Sequence, residues 1–166
     1  GDYNPAGRLP ITIPRHEGQI PIYYNRQNPR GHDYVDTPLA PLYHFGYGLS
    51  YTDFEYGDLA VEAEGDNRFK VSFTVRNTGS RAGEEVAQLY IREQVASTVQ
   101  PIKQLRDFSR ILLEKGEEKE VVFLLSEEDL SIVGMKMDRI VESGRFDLMI
   151  GASSQDIKLT SEFTVK

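Results

Sequence analysis

The side chains of this sequence that could do chemistry are its carboxylates, its histidines and its tyrosines. Two carboxylates facing each other roughly 5–10 Å apart across a sugar would hydrolyse a glycosidic bond. The acids of the C-terminal two-thirds do not suggest such a pair. Glu84, Glu85, Glu117, Glu118, Glu120, Glu127, Glu128 and Asp129 fall in expected turns or at outward strand positions, the pattern of a solvated acidic surface. Asp33 and Asp36 are a spaced pair, yet each sits where it can cap a turn ahead of Pro38. His16, His32 and His44 lack the i, i+4 spacing of two ligands on one helix and read as surface or docking histidines. Cysteine is absent, which removes thiolate nucleophiles, disulfides and sulfur-ligated zinc. No Gly-x-Ser-x-Gly elbow, phosphate-binding loop or Gly-x-Gly-x-x-Gly motif occurs. Asn77-Thr78-Gly79-Ser80 and Gly151-Ala152-Ser153-Ser154 are read as ordinary polar turns. No catalytic, cofactor or metal site is therefore assigned, and no cofactor is expected.

One cluster is unusual. Tyr43, Phe45, Tyr47, Tyr51, Phe54 and Tyr56 crowd a short segment rich in glycine and proline. Gly46 and Gly48 permit tight bends there, which suits a linker that presses aromatic rings against another surface. Tyr43, Phe45, Tyr47 and Tyr51 are the candidate domain-docking residues. A sugar-stacking platform would use the same residue types and stays open at this point.

The elements that must position these residues differ on the two sides of residue 50. Seven of the eight prolines, all three histidines and seven of the nine tyrosines lie at or before Tyr51. The first fifty residues carry four basic and four acidic side chains, so the whole net charge of −7 falls on the rest. A phosphate backbone would be repelled, and nucleic acid is not an expected partner. No apolar run approaches the roughly 20 residues of a membrane-spanning helix, and no membrane partner is expected. The opening Gly1-Asp2-Tyr3-Asn4-Pro5 is abrupt, and the parent's true N-terminus, with any targeting signal, is expected to be missing.

After residue 50 the chain reads as strands. Phe69, Val71, Phe73 and Val75 alternate with polar residues, the period-2 pattern of a strand with one buried face. The alternation recurs in Ala87, Leu89, Ile91; in Val121, Phe123, Leu125; in Phe146, Leu148, Ile150; and in Ile157, Leu159, Phe163, Val165. Leu59, Val61 and Ala63 give a weaker first strand. Leu105, Phe108, Ile111 and Leu113 do not keep one parity, and a bulge near Ser109 is expected to reconcile them. Turns such as Gly65-Asp66-Asn67 and Lys115-Gly116-Glu117 separate the runs. One helical turn is expected at Ser126–Leu130, capped by Ser126. The fold class is all-β: a two-sheet antiparallel sandwich of about seven strands, immunoglobulin-like and of the fibronectin type III kind. It follows an extended, mostly irregular N-terminal segment. In that segment Leu9-Pro10-Ile11-Thr12-Ile13-Pro14 is a short or edge strand and Ile20-Pro21-Ile22-Tyr23-Tyr24 a second extended piece.

Gly7-Arg8-Leu9-Pro10-Ile11-Thr12-Ile13-Pro14-Arg15 and Gly18-Gln19-Ile20-Pro21-Ile22-Tyr23-Tyr24-Asn25 resemble the end of the α/β-sandwich domain of family 3 glycoside hydrolases, the retaining β-glucosidases and β-xylosidases. Pro41 to Thr52 is similar to that family's linker signature, with His44 where proline is commoner. Val86–Ile91, Leu105–Phe108, Leu124–Leu130 and Gly144–Ser154 resemble its fibronectin type III-like domain. The resemblance implies three parts: an α/β-sandwich remnant over 1–27, a Tyr/Pro/Gly-rich linker over 28–50, and the fibronectin type III-like domain over 51–166. It implies that the parent's nucleophile, an aspartate usually followed by tryptophan, lies in another domain, since this chain has no tryptophan. No catalytic residue is carried over. The implied role is a non-catalytic accessory module of a β-glycosidase, with the parent's own catalytic barrel and α/β-sandwich domain as partners. A carbohydrate-binding or protein-interaction module is the alternative, and a periplasmic or secreted parent fits the resemblance. Leu9 to Tyr24, without its sheet, is expected to pair with a neighbouring copy in a truncation-induced dimer.

Overall fold

The computed structural model describes residues 1–27 and 38–166. Asp33, Asp36 and His32 lie outside the described residues.

Strand β1 (Phe54–Gly65) pairs with β2 (Arg68–Asn77), and β2 with β5 (Glu118–Leu125), in a three-stranded antiparallel sheet. The facing sheet has four strands in the order β4 (Gln104–Leu113), β3 (Gly83–Glu93), β8 (Gly144–Gly151), β9 (Ile157–Val165). The helical turn α1 (Glu127–Leu130) and a two-residue ladder of β6 (Ile132–Val133) with β7 (Arg139–Ile140) join β5 to β8. The architecture is the expected antiparallel sandwich.

The alternating residues close the core as their parity requires. Phe69, Val71, Phe73 and Val75 from β2 meet Ala87, Leu89 and Ile91 from β3 and Phe146, Leu148 and Ile150 from β8. Phe73 packs between Phe123 at 5.7 Å and Tyr56, whose ring is nearly parallel at 6.1 Å. At α1 the Asp129 carboxylate accepts hydrogen bonds from the Ser126 amide (2.8 Å) and hydroxyl (2.6 Å), closing the turn at its N-terminus.

Three local expectations are corrected. Phe54 and Tyr56 belong to β1 and pack on the core rather than joining the linker aromatics. The irregularity in β4 falls at Arg106 rather than near Ser109: Leu89 pairs with Asp107 and Tyr90 with Leu105, leaving Arg106 as the extra residue. No inward position is then needed for Phe108, which points outward and is 62% exposed. Glu85 is buried between the sheets instead of lying on the acidic surface, because it shares the inward parity of Ala87 and Leu89 and finds a counter-charge there.

Candidate domain-docking face

Pro10 and Pro14 carry no amide hydrogen, so the stretch between them cannot become a regular strand. What forms is a sparse antiparallel pairing with the linker. The Leu9 amide donates to the Tyr47 carbonyl and the Ile13 amide to the Tyr43 carbonyl, both at 2.9 Å. In return, the Gly46 amide donates to the Leu9 carbonyl (2.8 Å) and the Leu42 amide to the Ile13 carbonyl (2.9 Å). The backbone expected to seek a neighbouring copy thus finds partners at Leu9 and Ile13 within its own chain.

The paired segments lie over the outer face of β3. That strand is therefore buried on both faces: Ala87, Leu89 and Ile91 point to the core while Val86, Gln88 and Tyr90 point to the segments. Tyr24 stacks on Phe45 with centroids 4.2 Å apart and meets Tyr90 edge-on at 6.0 Å. Beneath them a polar ladder ties linker to sheet. The Tyr90 hydroxyl donates to the Gln88 side-chain oxygen, and Gln88 Nε2 donates to the Ala152 carbonyl (2.7 Å) and more weakly to that of Gly46 (3.4 Å). The Ser154 amide donates to the Phe45 carbonyl (3.0 Å), and Lys103 Nζ to the Ser154 carbonyl (2.6 Å). Gly46 is required here on two counts: its φ is +81°, and a side chain would run into Gln88.

Two buried polar groups lock the ends of the segments to the sandwich. Arg8 Nη2 donates to Glu85 Oε2 at 2.7 Å, and the Tyr56 hydroxyl to Glu85 Oε1 at 2.8 Å. Burial pushes the Glu85 carboxyl above its ordinary range, against which Arg8 and the Tyr56 hydroxyl pull down. The Tyr56 hydroxyl is driven far up by burial and then by the Glu85 charge, so it stays a donor. At the other lock, the Thr52 hydroxyl donates to Asn77 Oδ1 at 2.7 Å, and Asn77 Nδ2 donates to the carbonyls of Arg81 (2.8 Å) and Leu113 (3.1 Å). The His44 imidazole has its pKa lowered from the ordinary histidine value, by burial first and then by the charges of Lys103 and Arg15.

The four aromatic candidates divide. Phe45 turns inward, against Tyr24. Tyr43 and Tyr47 tilt together at 5.0 Å and remain 41% and 36% exposed, while Tyr51 sits under the Arg81 guanidinium at 5.5 Å and is 54% exposed. Ile11, Ile20, Tyr23, Leu42 and Leu49 are exposed as well. A groove of about 400 Å³ runs among Pro10, Ile11, Ile20, Tyr23, Tyr24 and Phe45. Among the described residues no group of three or more His, Asp or Glu is placed to hold a metal ion. Sequence reasoning missed Arg8, Tyr24, Glu85, Gln88 and Tyr90. The available signal was Val86–Ile91, apolar on both parities apart from Gln88, which marks a strand covered on both faces.

The glycosyl hydrolase family 3 C-terminal domain profile matches residues 1–51, and the fibronectin type III-like domain profile matches residues 85–154. The chain is similar to a putative beta-xylosidase of Formosa agariphila, 42% identical over 97% of this chain and 22% of that protein. It is similar to the periplasmic beta-glucosidase of Salmonella typhimurium, 40% identical over 95% of this chain and 22% of that protein. Among solved structures, a β-glucosidase of Erythrobacter marinus superposes with a TM-score of 0.93 at 44% identity, covering 100% of this chain and 22% of that one. The Listeria innocua beta-glucosidase in complex with glucose gives 0.90 at 35% identity, covering 98% and 24%. The chain thus spans about a quarter or less of the length of these relatives.

Proposed function

The chain belongs to glycosyl hydrolase family 3 as that family's C-terminal region, and from this we propose that it is a non-catalytic accessory module of a retaining β-glycosidase. In a longer parent protein hydrolysing terminal β-glucosides or related O-glycosides, it stabilises and positions the catalytic barrel and the α/β-sandwich domain. Residues 1–27 contribute the end of that α/β domain, 28–50 the linker, and 51–166 the sandwich.

The observation that carries this reading is the segment-and-linker face. Its inner side is pinned to β3 by Tyr24, Phe45 and the Gln88 ladder, while its outer side leaves Ile11, Ile20, Tyr23, Leu42 and Tyr51 uncovered. Apolar groups gathered on a fixed support are what a domain interface offers before its partner arrives. Tyr43, Tyr47 and Tyr51 are the exposed docking residues, and Phe45 holds the platform.

A second reading has one observation in its favour: the exposed Tyr43–Tyr47 pair could stack a sugar. Its rings lean on each other at 31° instead of presenting one flat surface, which supports packing over stacking. The two readings separate in a single pair of measurements on the purified chain. It should release no nitrophenol from aryl β-glucosides or β-xylosides above the buffer rate, and titration with gluco- and xylo-oligosaccharides should give no heat. Turnover that survives repurification overturns the non-catalytic assignment, and saturable heat lost in Tyr43→Ala establishes the carbohydrate-binding alternative.

A further inference from the structure

Strand β4 ends the four-stranded sheet: β3 pairs along one side of it, and among the described residues no strand pairs along the other. An edge of this kind is a template for a further strand. In an antiparallel ladder each residue turns its N–H and C=O to the same side, and successive residues turn to opposite sides. Two side chains reveal which residues of β4 face the edge. The Phe108 amide donates to Asp107 Oδ1 at 2.8 Å, and Lys119 Nζ donates to the Leu112 carbonyl at 2.7 Å. Phe108 and Leu112, with Arg110 between them, therefore turn their backbone outward, and Ser109 and Ile111 turn theirs toward β3. Before the bulge at Arg106 the outward set has the other parity, and there the Leu105 amide donates to the Tyr24 hydroxyl at 3.3 Å.

Asp107 and Lys119 come from positions where charge is out of place. Asp107 pairs with Leu89 and shares its inward parity, and Lys119 shares that of Val121 and Phe123. Both stand on the side of the sandwich where β4 and β5 are the end strands of their sheets. Each turns to a backbone group of β4. Inward-pointing charges on an edge are one of the devices by which β proteins prevent a further strand from adding. The opposite face of the same strand needs such a device, since Phe108 is 62% and Leu112 52% exposed. Without the two charges the edge would be both unpaired and apolar.

We propose that the edge of β4 is a pairing surface for a second copy of this chain, and that Asp107 and Lys119 keep it closed. The register carries the argument. A second copy laid antiparallel along the edge, with the two-fold axis at Arg110, sets Phe108 opposite Leu112 of that copy. The two Arg110 guanidiniums meet at the axis, each already neutralised by Glu84. Phe108 and Leu112 then exchange backbone hydrogen bonds and cover each other's exposed side chains. One of those bonds runs from the Phe108 amide to the Leu112 carbonyl. Asp107 occupies its donor and Lys119 its acceptor. To pair, a second copy must strip a carboxylate and an ammonium from their backbone partners and leave both charges beside a new strand.

The test is sedimentation velocity of the full 166-residue chain from low to high micromolar concentration, with far-UV circular dichroism to establish folding. The unchanged chain should stay monomeric. Asp107→Ala combined with Lys119→Met should dimerise, tightening self-association by at least roughly tenfold. Either substitution alone leaves one half of the bond occupied and should do much less. Asp107→Thr combined with Lys119→Ser, more polar and too short to reach the same backbone groups, should behave alike, and carries the test if the first pair does not fold. In the dimer, amide exchange should slow at Phe108, Arg110 and Leu112 and stay as it was at Ser109 and Ile111. A folded double variant that remains monomeric overturns the proposal, and so does a dimer that protects other amides. An unchanged chain already paired through these amides overturns it too.

Discussion

Arg8 and Glu85 stand 77 residues apart in sequence and 2.7 Å apart in space. The local pattern already put Glu85 on the inward parity of β3, yet its charge argued for solvent, and charge was the wrong guide. The partner that reverses the argument is too distant for any window of sequence to contain. Removing that partner leaves a buried carboxylate with only the Tyr56 hydroxyl. Arg8→Ala should therefore cost about 3–5 kcal/mol near neutral pH. The dependence on pH has a definite sign. Burial raises the Glu85 carboxyl, and loss of Arg8 removes the largest opposing influence. A carboxyl whose folded pKa lies above its unfolded value weakens the fold as pH rises through that folded pKa. The deficit of the variant relative to the parent chain should be widest at pH 8 and should narrow at pH 5, where Glu85 can take a proton. Urea unfolding of both chains at the two pH values measures it. A deficit that does not change with pH would mean that Arg8 acts by packing alone.

At the scale of elements, legibility followed exposure. Strands β2, β5, β8 and β9 each have one face toward solvent, so alternation announced them. The test of that alternation is a pair of residues of opposite parity in β2. Phe73→Ala should cost about 3–5 kcal/mol by lost burial and a residual cavity. Lys70→Ala, which breaks only an exposed 3.8 Å contact with Glu62, should change stability by less than about 1 kcal/mol. Equal effects in denaturant titration would put the strand's register in error. Strand β3 was half legible, because the segments that cover its outer face make both parities apolar and erase the alternation. In β4, outward-facing Phe108 imitated a core residue and suggested a bulge where none exists. The true bulge, at Arg106, carries a half-buried guanidinium whose pKa burial lowers, and a charged residue in a strand gives no hint of that in sequence. The aromatic cluster was visible as composition. That only Phe45 turns inward depends on Tyr24, whose place in the face nothing local revealed.

For the molecule as a whole, the described residues before and after position 50 are held together by specific side chains. Arg8, Asn4 and Tyr24 reach into the sandwich, and Thr52 and Phe45 fasten the linker to it. A chain beginning at Pro38 should accordingly be a poor domain: it loses the charge partner of Glu85 and the aromatic cover of Tyr90. Its Tm should fall by roughly 10–20 °C, the equivalent of about 5 kcal/mol for a chain of this size. Differential scanning calorimetry of the two chains decides the point, and an unchanged Tm would show the sandwich to be self-sufficient. The long reach of the Arg8–Glu85 pair also has a consequence in time. On a ribosome adding roughly 5–20 residues per second, Arg8 is made about 4–15 s before Glu85 exists. Throughout that interval Leu9 and Ile13 ride on a nascent chain whose cover has not been synthesised, in a fold whose late, distant pairings close slowly. Substitutions at these positions should register in the yield of soluble protein during translation before they register in the melting of the finished one.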